Sequence, residues 1–446
     1  MPMKTMHIGL DDTDSPRKGC TTYVAAILVE KLQRLRAEFI DYPNLIRLNP
    51  NVPWKTRGNG ALCLRMRYSQ SDEERIKETA INTVEEHADL EHKGTDPGIV
   101  FFERARIPNE VKTFSRNAIT GIVNLKVALK LLKKCKVEAV GFKKGRGVIG
   151  GLAAIGAILE DDHTFEILAY RIPENRGSKR KVDQASIFQM NKATAPYTFN
   201  NVDQETRRIL ITPRGPDPIF FGIRGETADI VKKAFEIVQP LEPVERWVIF
   251  RTNQGTDAHL RGVKQLSQIK PYRPVVATGT VATNPKIIPR RHVIFSIKDR
   301  SAQIDCAAYE PTGLLRKVAR KLIVGDYVEV YGGARAPSQD HPLTINLEKI
   351  RILKIAPEII YHNPACRKCG KRLKSLGRNK GFRCRKCGSR YLELTKVEVK
   401  MKREIREGIY ITSPRSQRHL TKPSLRYGVE KRYRPVKRLA KDWHFP

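Results

Sequence analysis

The chain has 446 residues and carries 83 Lys and Arg against 47 Asp and Glu, a formal charge of +36. That length exceeds what one hydrophobic core fills and predicts roughly two to four domains, while the charge points to polyanionic partners, nucleic acid first. No apolar run approaches the ~18 residues that cross a bilayer, and the N-terminal MPMKTMHIGLDD lacks the apolar stretch of a secretory signal. A cytoplasmic location without membrane partners is therefore the expectation. In chain order, MHIGLDD reads as a strand that ends among three like charges, Asp11, Asp12 and Asp14. TTYVAAILVEKLQRL has apolar residues at helical spacing, with a Thr placed to act as N-cap. YPNLIRLNP and GALCLRMRY read as strands, and DEERIKETAINTVEEHAD as a helix with acids in its first turn, as the helix dipole prefers. Residues 1–130 thus form a predicted α/β unit.

Residues 131–268 read as a second module, α/β or α+β. GRGVIGGLAAIGAIL leads into the strand TFEILAYRI, ENRGSKRKVD is an exposed loop, and strand, turn, helix, strand occur twice over, which fits a ferredoxin-like layer. Residues 269–357 change character. PVVATGTVATNP, HVIFSIKD, AQIDCAAYE, DYVEVYGGAR and LTINLEKIRILKI are five short strand patterns, with the helix GLLRKVARKLI between the third and fourth. That is the ground plan of an OB-fold β-barrel, a binder of oligonucleotides; a small β-barrel without such a ligand is the alternative. Residues 358–395 hold a cysteine module, and residues 396–446 form a basic tail of weak periodicity, either a helical clamp or a flexible arm. The fold class is multidomain α/β and α+β with a β-barrel and a C-terminal zinc ribbon.

The cysteines carry the most specific motif. Cys366 and Cys369 make one C-x-x-C and Cys384 and Cys387 another, with fourteen residues between. Two such knuckles close a tetrahedron of thiolates around structural Zn²⁺ and leave no open coordination position for catalysis. Basic residues and Tyr or Phe surround them, which suits contacts to phosphates and bases. Cys20, Cys63, Cys135 and Cys306 are scattered, as free thiols in a reducing compartment are.

Three carboxylates at a strand's end can converge where α/β proteins place ligands, and a divalent ion such as Mg²⁺ removes their repulsion. An Asx-type turn with Asp14 or Ser15 as a helix cap is the plainer reading. NPNVPWKTRGNGA, residues 49–61, sets Lys55 and Arg57 beside Gly58, Asn59 and Gly60. Glycines let backbone N–H groups approach a phosphate that Lys and Arg neutralise. HKGTDPGIVF adds His92 and Asp96. Acids for Mg²⁺ and a basic glycine loop in one unit point to nucleoside triphosphate chemistry. Cys20 has no evident His partner and is read as packing.

GLDDTDS…GCTTY, LNPNVPWKTRGNGA, TDPG, GLAAIGA, GPDPIFFGIRGE, the barrel pattern and the zinc ribbon, in that order, resemble the archaeal tRNA 2-agmatinylcytidine synthetases that serve the minor isoleucine tRNA. The resemblance covers nearly the whole chain. It implies an atypical kinase domain, a ferredoxin-like domain with the agmatine site, an OB-fold and a zinc ribbon. It implies that ATP activates C2 of the wobble cytidine of a CAU anticodon by phosphorylation. Agmatine then replaces that oxygen, ATP ends as AMP and phosphates, and the base reads AUA. By the same resemblance Asp11, Asp12 and Asp14 hold metal and ATP, Thr21 is the threonine phosphorylated by the enzyme itself, and Lys55, Arg57, Gly58 and Asn59 meet phosphates. Agmatine is a dication and needs carboxylates; Asp217 is the first choice and Glu226 the second, with a salt bridge from Asp217 to Arg214 or Arg224 as the competing use. The implied cofactors are ATP, Mg²⁺ and Zn²⁺, the partners that tRNA and agmatine, and a monomer is preferred. Two rivals stand beside this: a non-catalytic OB-fold and zinc-ribbon RNA-binding protein, and a Mg²⁺-dependent nuclease.

Overall fold

The computed structural model describes residues 3–431 and 438–446. One twisted sheet runs through the N-terminal half. Its main strands are β1 (Met3–Asp11), β2 (Asn44–Arg47), β3 (Gly60–Ser69), β4 (Gly98–Phe102), β5 (Glu138–Gly141), β6 (Thr164–Arg171), β7 (Ile219–Gly225) and β8 (Val244–Thr252). They lie in the order β5-β4-β1-β3-β2-β8-β6-β7. Neighbours are antiparallel except β2 and β8, which run parallel through Arg251↔Asn44 and Thr252↔Leu45. The two expected α/β modules therefore share one sheet, joined at that short contact.

The sheet's alternation sorts its side chains. Met6, Ile8, Leu10, Leu62 and Leu64 face helices α1 (Thr21–Arg34) and α2 (Glu73–His87), while Ala61, Cys63, Val100 and Phe102 face α3 (Asn109–Thr120), α4 (Leu125–Cys135) and α5 (Gly147–Gly156). Cys20, not Thr21, is the N-cap of α1, extended and without a side-chain cap bond, so Thr21 is the first helical residue. Helix α5 lies almost on the backbone of the sheet. A Cβ at Gly9 would stand 2.1 Å from the carbonyl oxygen of Gly151, and one at Gly98 2.1 Å from the amide of Val148. From the helix side, a Cβ at Gly147 would stand 2.4 Å from the Asp11 carbonyl oxygen and one at Gly151 2.8 Å from that of Gly9, which explains the run GVIGG. The expected boundary at residue 130 falls inside α4, and both β5 and α5 pack on the first half. Composition around residue 130 carries no sign of which sheet the next strand joins. Helices α6 (Gln184–Thr194) and α7 (Ala228–Ile237) cover the second half.

A second sheet closes on itself. Strands β9 (Pro274–Val281), β10 (His292–Lys298), β11 (Gln303–Ala308), β12 (Tyr327–Arg335) and β13 (Thr344–Lys354) form a five-stranded barrel. β9 pairs with β12 and, through Thr280↔Lys298 and Val281↔Ile297, with β10; β11 runs parallel to β13. All five strands fall on their sequence patterns. The helix between the third and fourth is short, Leu314–Ala319.

From the barrel the ribbon β14 (Glu358–His362) and β15 (Val397–Met401) carries the cysteine module. The chain then returns. β16 (Gly408–Ile411) pairs with β13, and residues 412–431 run back over the central sheet. Arg415 pairs with Asp203 at 2.9 Å, Thr421 donates to Glu348 at 2.6 Å, and Arg426, 1% exposed, binds Asp162 and Glu226. Trp443 packs edge-on against Phe39 and Tyr42, and His444–Phe445 pairs with β8. The basic tail is thus neither a helical clamp nor a free arm but a strap tying barrel to sheet; its residues 432–437 lie outside the described part. Among the described residues no helix is long and apolar enough to cross a membrane.

Candidate active site

A cavity of about 280 Å³ opens where β1, the start of α1, the loop 52–60, the start of α5 and the segment before β7 meet. Asp11, Asp12, Asp14, Thr21, Lys55, Arg57, Gly58, Asn59 and Asp217 all line it. The chain brings these nine candidates together across more than 200 residues of sequence.

The three aspartates do different things. Asp11 accepts from the amide of Asp12 at 2.7 Å and presses its carboxylate on the backbone of α5. Burial, then the charge of Asp12, pushes its pKa well above the carboxylate range. Asp12 turns out of the strand in the left-handed region, φ 62°, and its Oδ2 takes Nη2 of Arg146 at 2.9 Å and the amide of Asp96 at 3.3 Å. Burial raises its pKa and Arg146 works against that rise. Asp14 Oδ2 accepts from Arg57 Nε at 2.8 Å, while its carbonyl takes the hydroxyl of Thr95. His92 in turn bonds Thr95, so HKGTDPG supports the acids from behind.

Their oxygens do not form a ready cage. Among the described residues the four cysteines alone bring three or more ligand atoms within 4.8 Å of one another. The aspartates fit Mg²⁺ in the way that ion prefers, one or two carboxylates with phosphates and waters. Oδ1 of Asp12 and of Asp14 accepts no hydrogen bond from the described residues.

Gly150 has a specific task. A Cβ there would lie 1.8 Å from Asp11 Oδ2. Gly150→Ala would gain about 1 kcal/mol of helix propensity but forces the helix off the strand, an overpacking cost of about 1–3 kcal/mol. A net loss of thermal stability is the expected result, read by a melting curve; a gain would mean Asp11 swings aside freely.

Arg57 is the hub of the loop. It bonds Asp14, donates to the Gly19 carbonyl at 2.6 Å and reaches Asp217 at 3.3 Å. Burial opposes its charge, but the two acids outweigh it and hold its pKa above the ordinary value. Asp217 is also held by Arg180 at 3.4 Å. Its competing partners are thus Arg57 and Arg180, not Arg214 or Arg224; Arg224 pairs with Glu166. Glu226 is not at the cavity: Arg426 and Lys431 bind it in the strap. Lys55, exposed, has its pKa lowered by partial burial and by Arg418. Asn59, φ 48°, spends its amide on the carbonyl of Asn49 at 2.7 Å and so shapes the loop. Thr21 accepts from Thr13 Oγ1 at 3.1 Å at the first turn of α1. Cys20 lines the same wall, its thiol 3.0 Å from Thr22 Oγ1 and its pKa raised by burial, which leaves a poor nucleophile. Sequence reasoning missed Arg47, Arg146 and His419, which also line the cavity. Arg146 stood in GRGVIGG with nothing to mark it, and His419 comes from the strap.

The cysteine module has the geometry of a metal centre. Sulfur pairs stand at 3.5 Å (Cys366–Cys387), 3.5 Å (Cys369–Cys384) and 3.8 Å (Cys369–Cys387). A tetrahedron with ~2.3 Å Zn–S bonds has edges of ~3.8 Å. Gly370 (φ 69°) and Gly388 (φ 77°) close the two knuckles, their amides donating to Cys366 and Cys384.

Known proteins resemble this chain along nearly its whole length. Family models match at residues 7–68 (TiaS TCKD domain), 145–259 (TiaS FLD domain) and 363–405 (TiaS C-terminal zinc ribbon domain). The 2-agmatinylcytidine synthetase TiaS of Methanocaldococcus jannaschii, named for the second isoleucine tRNA, is 42% identical over 429 residues, 94% of this chain and 98% of that protein. The crystal structure of TiaS in complex with that tRNA and ATP is 40% identical with a TM-score of 0.87, covering 97% of this chain and 100% of that one. The crystal structure of TiaS with the same tRNA, AMPCPP and agmatine is 37% identical with a TM-score of 0.85, at the same coverage. On this identity and coverage, the chain belongs to TiaS, the family of 2-agmatinylcytidine synthetases of the second isoleucine tRNA.

Proposed function

We propose that this chain is an ATP-dependent ligase that forms a C–N bond between agmatine and C2 of the wobble cytidine in the CAU anticodon of the minor isoleucine tRNA. The observation that carries this is one cavity holding the aspartates, Thr21, the Lys/Arg glycine loop and Asp217, in a chain with family relatives along nearly its full length. The C2 oxygen of cytidine leaves poorly. Phosphorylation makes it a leaving group; the amine of agmatine then adds at C2 and the C2–O bond breaks, the oxygen departing as inorganic phosphate. Mg²⁺, when bound, neutralises the phosphates; Asp12 and Asp14 are the residues to hold it. Asp11 positions Asp12, Thr21 is the phosphoryl acceptor, and Lys55 and Arg57 with the Gly58–Asn59 backbone meet phosphate oxygens. Trp54, Ile122 and Val123 offer the apolar wall that a base needs. Asp217 takes the cationic agmatine, which must compete with Arg57 and Arg180 for it.

On this reading residues 1–130 are the kinase-like part, with β5 and α5 completing it. Residues 131–268 are the ferredoxin-like part, 269–357 an OB-fold, 358–395 the zinc ribbon and 396–446 the strap. Strand order and the helix between strands three and four support the OB assignment. Barrel and ribbon grip the tRNA. Replacing both Cys384 and Cys387 with Ser is therefore expected to release zinc and weaken tRNA binding at least tenfold while ATP still binds. Metal analysis with a gel-shift titration checks it, and unchanged tRNA affinity in zinc-free protein would sink the ribbon's role.

The test of the whole reading is mass spectrometry of nucleosides from the CAU isoleucine tRNA incubated with protein, ATP, Mg²⁺ and agmatine. A cytidine heavier by one agmatine less one water is expected. Unmodified cytidine with tRNA still bound would favour the plain RNA-binding reading, and cleaved tRNA without ATP the nuclease.

A further inference from the structure

We propose that Arg47 and His419 form a phosphate-binding subsite at the corner of the cavity beside Gly58, completed by the C-terminal strap. The inference rests on the function proposed above only for the source of the phosphate. Arg47 ends β2, its backbone clamped by Asn253 through bonds of 2.8 and 2.9 Å. Its side chain makes no hydrogen bond or ion pair with any described residue, and its Nε is buried without a partner. An arginine brought into such a place stays charged; burial lowers its pKa, yet only to about 10. An unpaired guanidinium whose Nε is shut away from water is costly unless an anion completes it.

His419 supplies the second donor. Its carbonyl accepts the amide of Gly255 at 2.8 Å, so the strap is seated where the histidine enters. Arg224 Nη2 lies 3.2 Å from its Nδ1. A guanidinium only donates, so Nδ1 accepts and the proton sits on Nε2. Burial, then Arg47, Arg224 and Lys55, keep the ring's pKa well below its usual value, so it stays neutral. Nε2–H and Arg47 Nη1 converge: a Cβ at Gly58 would stand 3.1 Å from the one and 2.7 Å from the other. Gly58 leaves that space open. The cations acting on these two donors are Arg224 and Lys55, beside Arg47 itself; the acids nearby, Glu166 and Asp14, are taken by Arg224 with Gln254 and by Arg57. Fixed donors with surplus positive charge suit a phosphate group, which belongs either to the polyphosphate tail of ATP or to the tRNA backbone.

The strap's other anchors tie this corner to the barrel. Thr421, two residues on, donates to Glu348 of β13, and Arg418 bonds Asn51 of the loop. A shift of the barrel against the sheet would move His419.

The test uses the full chain and its Arg47→Met, His419→Phe and His419→Gln variants. Inorganic tripolyphosphate and ATP are titrated calorimetrically, and the tRNA by gel shift. Arg47→Met and His419→Phe are each expected to weaken one ligand class about 10- to 100-fold, as loss of a hydrogen bond to a charged group does. His419→Gln, which keeps an N–H donor, should recover part of it. The His419→Phe effect should stay constant from about pH 6 to 8, because a neutral imidazole is what is lost. Loss confined to tripolyphosphate and ATP assigns the nucleotide tail; loss confined to tRNA assigns its backbone. Thermal melts identify variants that fail to fold. Folded variants that bind all three ligands as wild type overturn the subsite, and do so even if the wild-type protein modifies its tRNA. A wild-type protein that makes no modified cytidine overturns the function instead and leaves the titrations readable.

Discussion

Asp12→Ala is expected to lower ATP turnover by at least about 10²- to 10³-fold, the scale seen when one preorganised charged group is removed from a phosphoryl-transfer site. Affinity for tRNA should stay within about threefold, since phosphate contacts dominate RNA binding and the basic surface lies elsewhere. The structure gives Asp12 two jobs that must be separated. It carries a charge into the cavity, and it anchors Arg146 and the amide of Asp96. Asp12→Asn keeps an oxygen for both bonds and loses only the charge. If the carboxylate works through its charge, Asn is as inactive as Ala and melts close to wild type. If Asn restores turnover, Asp12 is a scaffold for the α5 end of the cavity. Arg146 is 29% exposed in its side chain and also bonds the Gly94 carbonyl, so its loss of a partner is tolerated and the fold should survive either change. Equal losses of tRNA affinity and turnover would make the acids structural.

Arg426→Met is expected to be among the most destabilising single changes in the chain, about 3–5 kcal/mol, read as a drop in the urea midpoint. Arg426 donates to Glu226 at 2.5 Å, to Asp162 at 2.8 and 3.0 Å, and to the Gly255 carbonyl at 2.6 Å. Methionine fills the volume and supplies no donor. Two carboxylates would then be left with Lys431 at 2.6 Å from Glu226 and Lys422 at 4.0 Å from Asp162. Neutralising both acids in the same background, with Asp162→Asn and Glu226→Gln, should recover much of the loss, because the penalty lies in the unpaired charges rather than in packing. A cost under about 1 kcal/mol would mean the two lysines take over. The variant also loosens the strap near the Gly255 carbonyl, so affinity for whichever phosphate ligand the Arg47–His419 corner takes should fall with its stability.

Local patterns reached far along this chain. β1 and α1 lie on MHIGLDD and TTYVAAILVEKLQRL, because apolar spacing at periods of about two and 3.6 reports which face a segment buries. The five barrel strands lie on their alternating runs for the same reason. The zinc knuckles are legible because one metal demands four thiolates at fixed short spacing, with glycine after each pair. The aspartates, Lys55, Arg57 and Asp217 drew notice as residue types whose charges need a ligand or a counter-ion, and the cavity holds them all.

The rest depends on long-range contacts that leave no periodic trace. Nothing near residue 130 says that β5 and α5 complete the first half, since the close approach of Gly9 to Gly151 joins positions 142 apart. The tail of Lys and Arg looks like a polyanion-binding arm, because a basic run has the same composition whether it meets phosphate or buried acids. Its acids, Asp162, Asp203, Glu226 and Glu348, lie at least 70 residues upstream. Ion pairing is decided by which charges the fold brings within a few ångströms, and desolvation makes that choice strong. That is why Asp217 faces Arg57 and Arg180 rather than its sequence neighbours, and why Glu226 leaves the cavity for the strap. It is also why His419, unremarkable in SQRHLTK, reaches Gly58, 361 residues before it.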